Sequence, residues 1–139
     1  MYRFDKTQWP IVVVVHDSAH TEADFDAYLE ELEALLKSGE RYVYIDVMQA
    51  NMELPPFARI KRLIAWYQAH REESARWCIG TAFVIPNTAA RGAANFFLQI
   101  TQITKAAMPR YFAQDLEAAL FWARTKLAAE SLSGERVFR

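Results

Sequence analysis

The pentapeptide HDSAH gathers His16, Asp17, Ser18 and His20 within a few residues, the tightest group of chemically capable side chains in the sequence. A transition-metal centre wants two imidazoles on one face and a third ligand held nearby. This segment instead separates an apolar run from a helical pattern, where His and Asp commonly supply turn and cap hydrogen bonds. Its spacing matches no metal motif, so no metal is expected. Hydrolysis would need an activated nucleophile, yet the chain has no G-x-S-x-G and nothing marks Ser18 as held on a strained turn. Cys78, the single cysteine, follows Trp77 at the entrance of an apolar run. A reactive thiol needs a neighbouring cation or helix N-terminus to lower its pKa. Arg76 would point to the other side of the strand, so Cys78 reads as a small buried hydrophobe. No nucleophile–base pair and no metal set can be assembled from adjacent residues. Catalysis is therefore not expected, and no cofactor is implied.

Binding fits the remaining candidates better. PNTAARG puts Asn87, Thr88 and Arg91 at the start of a helix that follows a strand. Free N–H groups there could hold an anion with help from Arg91; simple capping by Thr88 is the alternative. VMQANMELPP is the most irregular stretch, with Met48, Gln49, Asn51, Met52 and Glu53 beyond another strand end. Open α/β sheets bind ligands outside the carboxyl ends of their strands, so these two loops and the loop from His16 to His20 would form any such site. Methionines suit recognition of a varied apolar surface, or they cap their own loop from the core. The run from Gly92 to Thr104 carries no charge in a chain that is 24% charged. On a helix over 88–107, Phe96, Ile100, Ile103 and Ala107 form the face toward the sheet. The opposite stripe holds Arg91, Asn95, Gln99 and Gln102. Interface cores are depleted in charge, so Asn95, Gln99 and Gln102 are the expected face toward another chain. Cover by the chain's own C-terminal segment is the competing reading.

The elements that must position these residues follow from the apolar pattern. The 139 residues have the length of one domain, with 53% apolar residues and a formal net charge of -1. That charge gives no basic excess for nucleic acid. One cysteine excludes an internal disulfide and fits a reducing compartment. No signal peptide pattern is visible, and the longest apolar run is far too short to span a bilayer. A cytoplasmic domain without integral membrane association is expected.

YRF, DKTQ and WPIVVVV read as a short strand, a turn and a longer strand. The β-branched run Ile11 to Val15 predicts a strand covered on both faces, placed at the centre of the sheet. Thr21 with Asp24 has capping-box spacing. After it, Phe25, Tyr28, Leu29, Leu32, Leu35 and Leu36 form a helical stripe that Ser38-Gly39 ends. YVYIDVM is a second buried strand. Pro55-Pro56 start a helix with Phe57, Ile60, Leu63, Ile64 and Tyr67 inward and Arg59, Lys61 and Arg62 outward. WCIGTAFVIP and PRYFA are the remaining strands. The last helix is capped by Asp115 and faces inward with Leu116, Ala119, Leu120, Ala123 and Leu127. The order β-β-α-β-α-β-α-β-α predicts a mixed, mostly parallel α/β sheet with helices on both faces. The domain spans 1–130, and 131–139 form a fraying tail.

GTAFVIP, ARGAANFF and MPRYFAQDLEAALFWARTKL resemble the C-terminal third of the SpoIIAA-like group, relatives of STAS and Sec14-type domains, whose last helix reads D-L-E-x-A-L-x-W. The resemblance covers about Gly80 to Leu127 by residues and nearly the whole chain by element order. It implies a small cytoplasmic module, usually non-enzymatic, that binds a protein or an apolar ligand. The anti-anti-sigma branch has a phosphorylatable serine directly after the strand-ending aspartate. Here Asp46 is followed by Val47, Met48, Gln49 and Ala50, and no hydroxyl occurs before Pro55. A phospho-switch of that type is not expected. The expected function is a protein-interaction or scaffolding module that self-associates as a homodimer. The alternative is a carrier or sensor of a small apolar, lipid-like ligand, which would need an internal cavity between helices and sheet.

Overall fold

The computed structural model describes residues 2–16, 21–48, 57–85 and 110–137. Its sheet has five strands: β1 (Tyr2–Gln8), β2 (Ile11–His16), β3 (Tyr42–Val47), β4 (Cys78–Val84) and β5 (Arg110–Ala113). They lie side by side in chain order, with β1 antiparallel to β2 and every later pair parallel. The helices are α1 (Glu22–Lys37), α2 (Phe57–Ala69), α3 (Arg71–Trp77) and α4 (Leu116–Val137). The class is mixed α/β and mostly parallel, as the alternation of patterns implies.

Local chemistry explains the best-formed elements. Thr21 caps α1 by accepting from the Asp24 N–H, and the Asp24 carboxylate accepts in return from the Thr21 N–H. That return bond, from the Thr21 backbone first, also holds the Asp24 carboxyl below its ordinary pKa. Phe25, Tyr28, Leu32, Leu35 and Leu36 are buried on one stripe of α1. Each such side chain contributes roughly 1.5–3 kcal/mol by leaving water. Gly39, at φ 73°, takes the left-handed turn that lets the chain leave α1. Asp115 caps α4 by accepting from the Ala118 N–H at 2.8 Å.

Two helical layers sandwich the sheet. Val12, Val14, Tyr42, Tyr44 and Cys78 pack beneath α1, with Leu63, Trp66 and Trp77 of α2 and α3 beside them. Ile11, Val13, Val43, Ile45, Ala82 and Val84 pack on the other side beneath Ala119 and Ala123 of α4. Right-handed crossovers between strands that advance in one direction place their helices on one face, which accounts for α1 to α3 sharing a layer.

Several expectations change in detail. β1 runs on through DKTQ, and the turn falls at Trp9-Pro10. Asp5 accepts from both the N–H and hydroxyl of Thr7 at an irregularity in the β1–β2 pairing, so the bend sits inside a strand instead of ending it. β2 is interior but second from the edge, and the middle strand is β3. Trp77 ends α3 and not a strand. That helix, Arg71–Trp77, lacks an apolar stripe and was not anticipated; Glu72 and Glu73 in its first turn and Arg76 in its last complement its dipole. Arg59 is buried instead of facing out. Leu116 is 38% exposed, so the inward face of α4 is carried by the buried Ala119 and Ala123 with the half-buried Leu120 and Leu127 beside them. The α4 backbone continues through 131–137, where a fraying tail was expected. The third helix expected over 88–107 lies outside the described residues.

Candidate functional site

Strand periodicity places a polar group at the carboxyl ends of β2 and β3. Val12, Val14 and His16 alternate onto the α1 side, as do Tyr42, Tyr44 and Asp46 on the neighbouring strand. Val14 pairs with Asp46 in parallel register. His16 Nε2 and Asp46 Oδ1 consequently meet at 2.7 Å, with their side chains 10% and 7% exposed.

The chain of contacts continues inward from Asp46. The Tyr44 hydroxyl donates to Asp46 Oδ2 at 3.3 Å, and the Tyr28 hydroxyl of α1 lies 2.8 Å from that of Tyr44. Tyr67 of α2 neighbours Tyr28. Burial pushes the hydroxyl pKa values of Tyr28, Tyr44 and Tyr67 well above their ordinary range. Tyr2 closes the outer end: its ring stacks on Tyr28 at 4.3 Å and meets His16 edge-on at 4.8 Å. Burial raises its pKa to about 12 against the opposing pull of Arg59.

Arg59 and Arg62 tie α2 to α1 beside this group. Arg59 Nη2 donates to Glu22 Oε1 at 2.9 Å, while Arg62 bonds both Glu22 and Asp26. Both guanidinium groups lie over the Phe25 ring. Delocalised, weakly hydrated guanidinium tolerates such stacking, which is how Arg59 enters an otherwise apolar seam.

The expected site residues fare differently. Met48 is 3% exposed, and its N–H donates to the Val84 carbonyl. It therefore packs into the core at the start of its loop. Gln49, Asn51, Met52 and Glu53 lie outside the described residues, as do Asn87, Thr88 and Arg91 and the stripe of Asn95, Gln99 and Gln102. From HDSAH only His16 is described, and it meets Asp46 of the adjacent strand. Cys78 is buried, and burial raises its thiol to about pKa 11. That thiol is a poor nucleophile near neutral pH. Its contacts are the Gly80 carbonyl and the Thr81 hydroxyl. No group of three or more His, Cys, Asp or Glu side chains among the described residues could hold a metal ion.

The His16–Asp46 pair leaves no mark among residues adjacent in sequence. The usable signal was the shared alternation of 12, 14, 16 with 42, 44, 46 on two strands ending together. Among the described residues, no helix is long and apolar enough to cross a membrane. No family model, curated protein or solved structure matches the chain.

Proposed function

We propose that this chain is a non-enzymatic, cytoplasmic protein-interaction module of SpoIIAA-like type that associates with itself as a homodimer. The observation that carries this reading is how the convergent polar groups at the sheet's carboxyl end are used. His16, Asp46, Tyr44 and Tyr28 are all at most 8% exposed and face one another: Tyr28 and Tyr44 share a hydrogen bond, Tyr44 donates to Asp46, and His16 lies against the Asp46 carboxylate. A general base has to reach a substrate proton directly or through one water, whereas His16 lies beneath Tyr2 and Tyr28. Such a network gives the sheet end a single arrangement from which loops can be presented. The cavity between α1–α3 and the sheet is about 20 Å³. Small-molecule pockets occupy roughly 300–1,000 Å³, so this particular cavity among the described residues is too small for a lipid.

The test places charge on the amide stripe. One variant carries Gln99→Glu with Gln102→Lys, and a second carries Gln99→Lys alone. Like charges meeting across a two-fold interface are costly, because each faces its own repeat. Light scattering should report a smaller particle with little change in melting temperature. Wild-type mass in both variants would remove the stripe as an interface, and unfolding would show that it is buried within its own chain.

A further inference from the structure

Among the described elements, β1 pairs with β2 alone and forms one edge of the sheet. Alternate backbone N–H and C=O groups of such a strand point away from its neighbour and can accept another strand. The opposite edge, β5, is only four residues long. β1 has seven, with a kink between Asp5 and Gln8, so its regular stretch is the part before that kink.

The charges on β1 decide which strand fits it. Arg3 and Asp5 are exposed and, two residues apart, lie on one face of the sheet. The half-buried Tyr2 and Phe4 lie on the other face, toward α1. A second copy related by a two-fold axis normal to the sheet runs antiparallel and keeps like faces together. An axis at Arg3 sets Arg3 against its own repeat, and an axis at Asp5 does the same for Asp5. Like charges directly opposite are destabilising. An axis at Phe4 instead sets Arg3 opposite Asp5 on either side of it. The Phe4 rings then face each other on the α1 side, and Tyr2 stands opposite Lys6. Thr7 donates to Asp5 through both its hydroxyl and its N–H, which holds that carboxyl below its ordinary pKa and therefore ionised at neutral pH. Both bonds go to Oδ1, which leaves Oδ2 to accept from a guanidinium group.

We propose, on the basis of the self-association reading above, that two copies of this chain join edge to edge through β1, antiparallel about Phe4, with Arg3 of each paired to Asp5 of the other. The product is one continuous sheet across both copies. Charge complementarity selects the register, because pairing about either charged residue is repulsive.

Charge reversal in the whole chain tests this register. Arg3→Asp places two carboxylates opposite each other, and Asp5→Arg places two guanidinium groups there. Sedimentation over a concentration series should show the dimer dissociation constant of each variant raised about tenfold or more, with the circular dichroism spectrum unchanged. The two variants mixed should pair with each other, and a chain carrying both reversals should recover the wild-type dimer. Arg3→Asp leaves the Thr7 bonds intact, so it reads the register even if Asp5→Arg misfolds. A wild-type dimer that Arg3→Asp does not weaken, or folded variants that do not pair when mixed, overturns the β1 contact and leaves the self-association reading standing. A wild-type chain that stays monomeric across the series overturns both.

Discussion

The two faces of the sheet are closed by different physics. Beneath α4, Ile11, Val13, Val43, Ile45 and Val84 meet Ala119 and Ala123, so the centre of the seam is aliphatic, with the stacked Tyr111 and Trp122 packed against it. Small alanines on the helix let its backbone approach the branched strand residues, so this face is held by volume and dispersion. Beneath α1 to α3 the strands present Tyr42, Tyr44, Asp46 and His16, and the helices answer with Tyr28, Trp66 and Tyr67. That face needs directed hydrogen bonds as well as volume, since each buried polar atom left unpaired is costly. The contrast teaches that specificity is concentrated on the α1 side, while the α4 side supplies much of the uncommitted apolar burial.

The largest expected effect breaks the aliphatic face. Val13 is 6% exposed beneath α4, and Val13→Asp should cost more than about 4 kcal/mol, because it buries a carboxylate with no partner. Circular dichroism should find it largely unfolded; a wild-type melting curve would refute the seam. On the other face, Asp46→Ala removes the carboxylate that His16 and Tyr44 share, at an expected cost of about 3 kcal/mol or more. A double-mutant cycle with His16→Ala should return clear coupling, and additive losses would mean the two side chains do not support each other.

Neighbouring residues on opposite faces sharpen the comparison. Tyr44→Phe and Ile45→Val each delete one heavy atom. The first leaves Tyr28 and Asp46 short of a partner and should cost about 1–3 kcal/mol. The second removes only packing and should cost about 0.5–1.5 kcal/mol. Denaturant melts that rank Ile45→Val as the more damaging would undo the distinction.

A smaller effect appears with pH. The Cys78 thiol is raised from an ordinary value near 9 to about 11, chiefly by burial. Above pH 9 the unfolded chain releases this proton first. The folded state's advantage is therefore full below pH 9 and declines as pH rises toward 11. Cys78→Ala should flatten that part of the stability–pH profile relative to wild type. Smallest of all is Lys6→Ala, which removes an exposed pair with Glu31 at 3.4 Å. Its expected cost is less than about 0.5 kcal/mol, detectable only in precise melts at low salt.

Local signals made much of the scaffold legible. The Thr21–Asp24 box, the stripe from Phe25 to Leu36 and the branched strand β2 are written in spacings of a few residues, and the structure realises each. α3 was illegible for the opposite reason: REESARW has no apolar period, and its place depends on what α2 and β4 leave between them. Arg59 looked like a surface charge until Phe25 and Glu22, some 34 to 37 positions away in sequence, closed around it.

By itself, then, the sequence determined the class of elements, the α1 capping box, the buried strands and the absence of an internal disulfide. These depend on backbone geometry and on interactions within one turn or one strand. Only the tertiary structure decided that His16 meets Asp46, that Tyr28, Tyr44 and Tyr67 line up behind them, and that Ser74 lines the small cavity between helices and sheet. Those contacts come from parallel register and from the seating of α1 to α3 on one face. Neither leaves a local mark, because the partners are joined by whole crossovers and the energy that aligns them is burial of the entire layer.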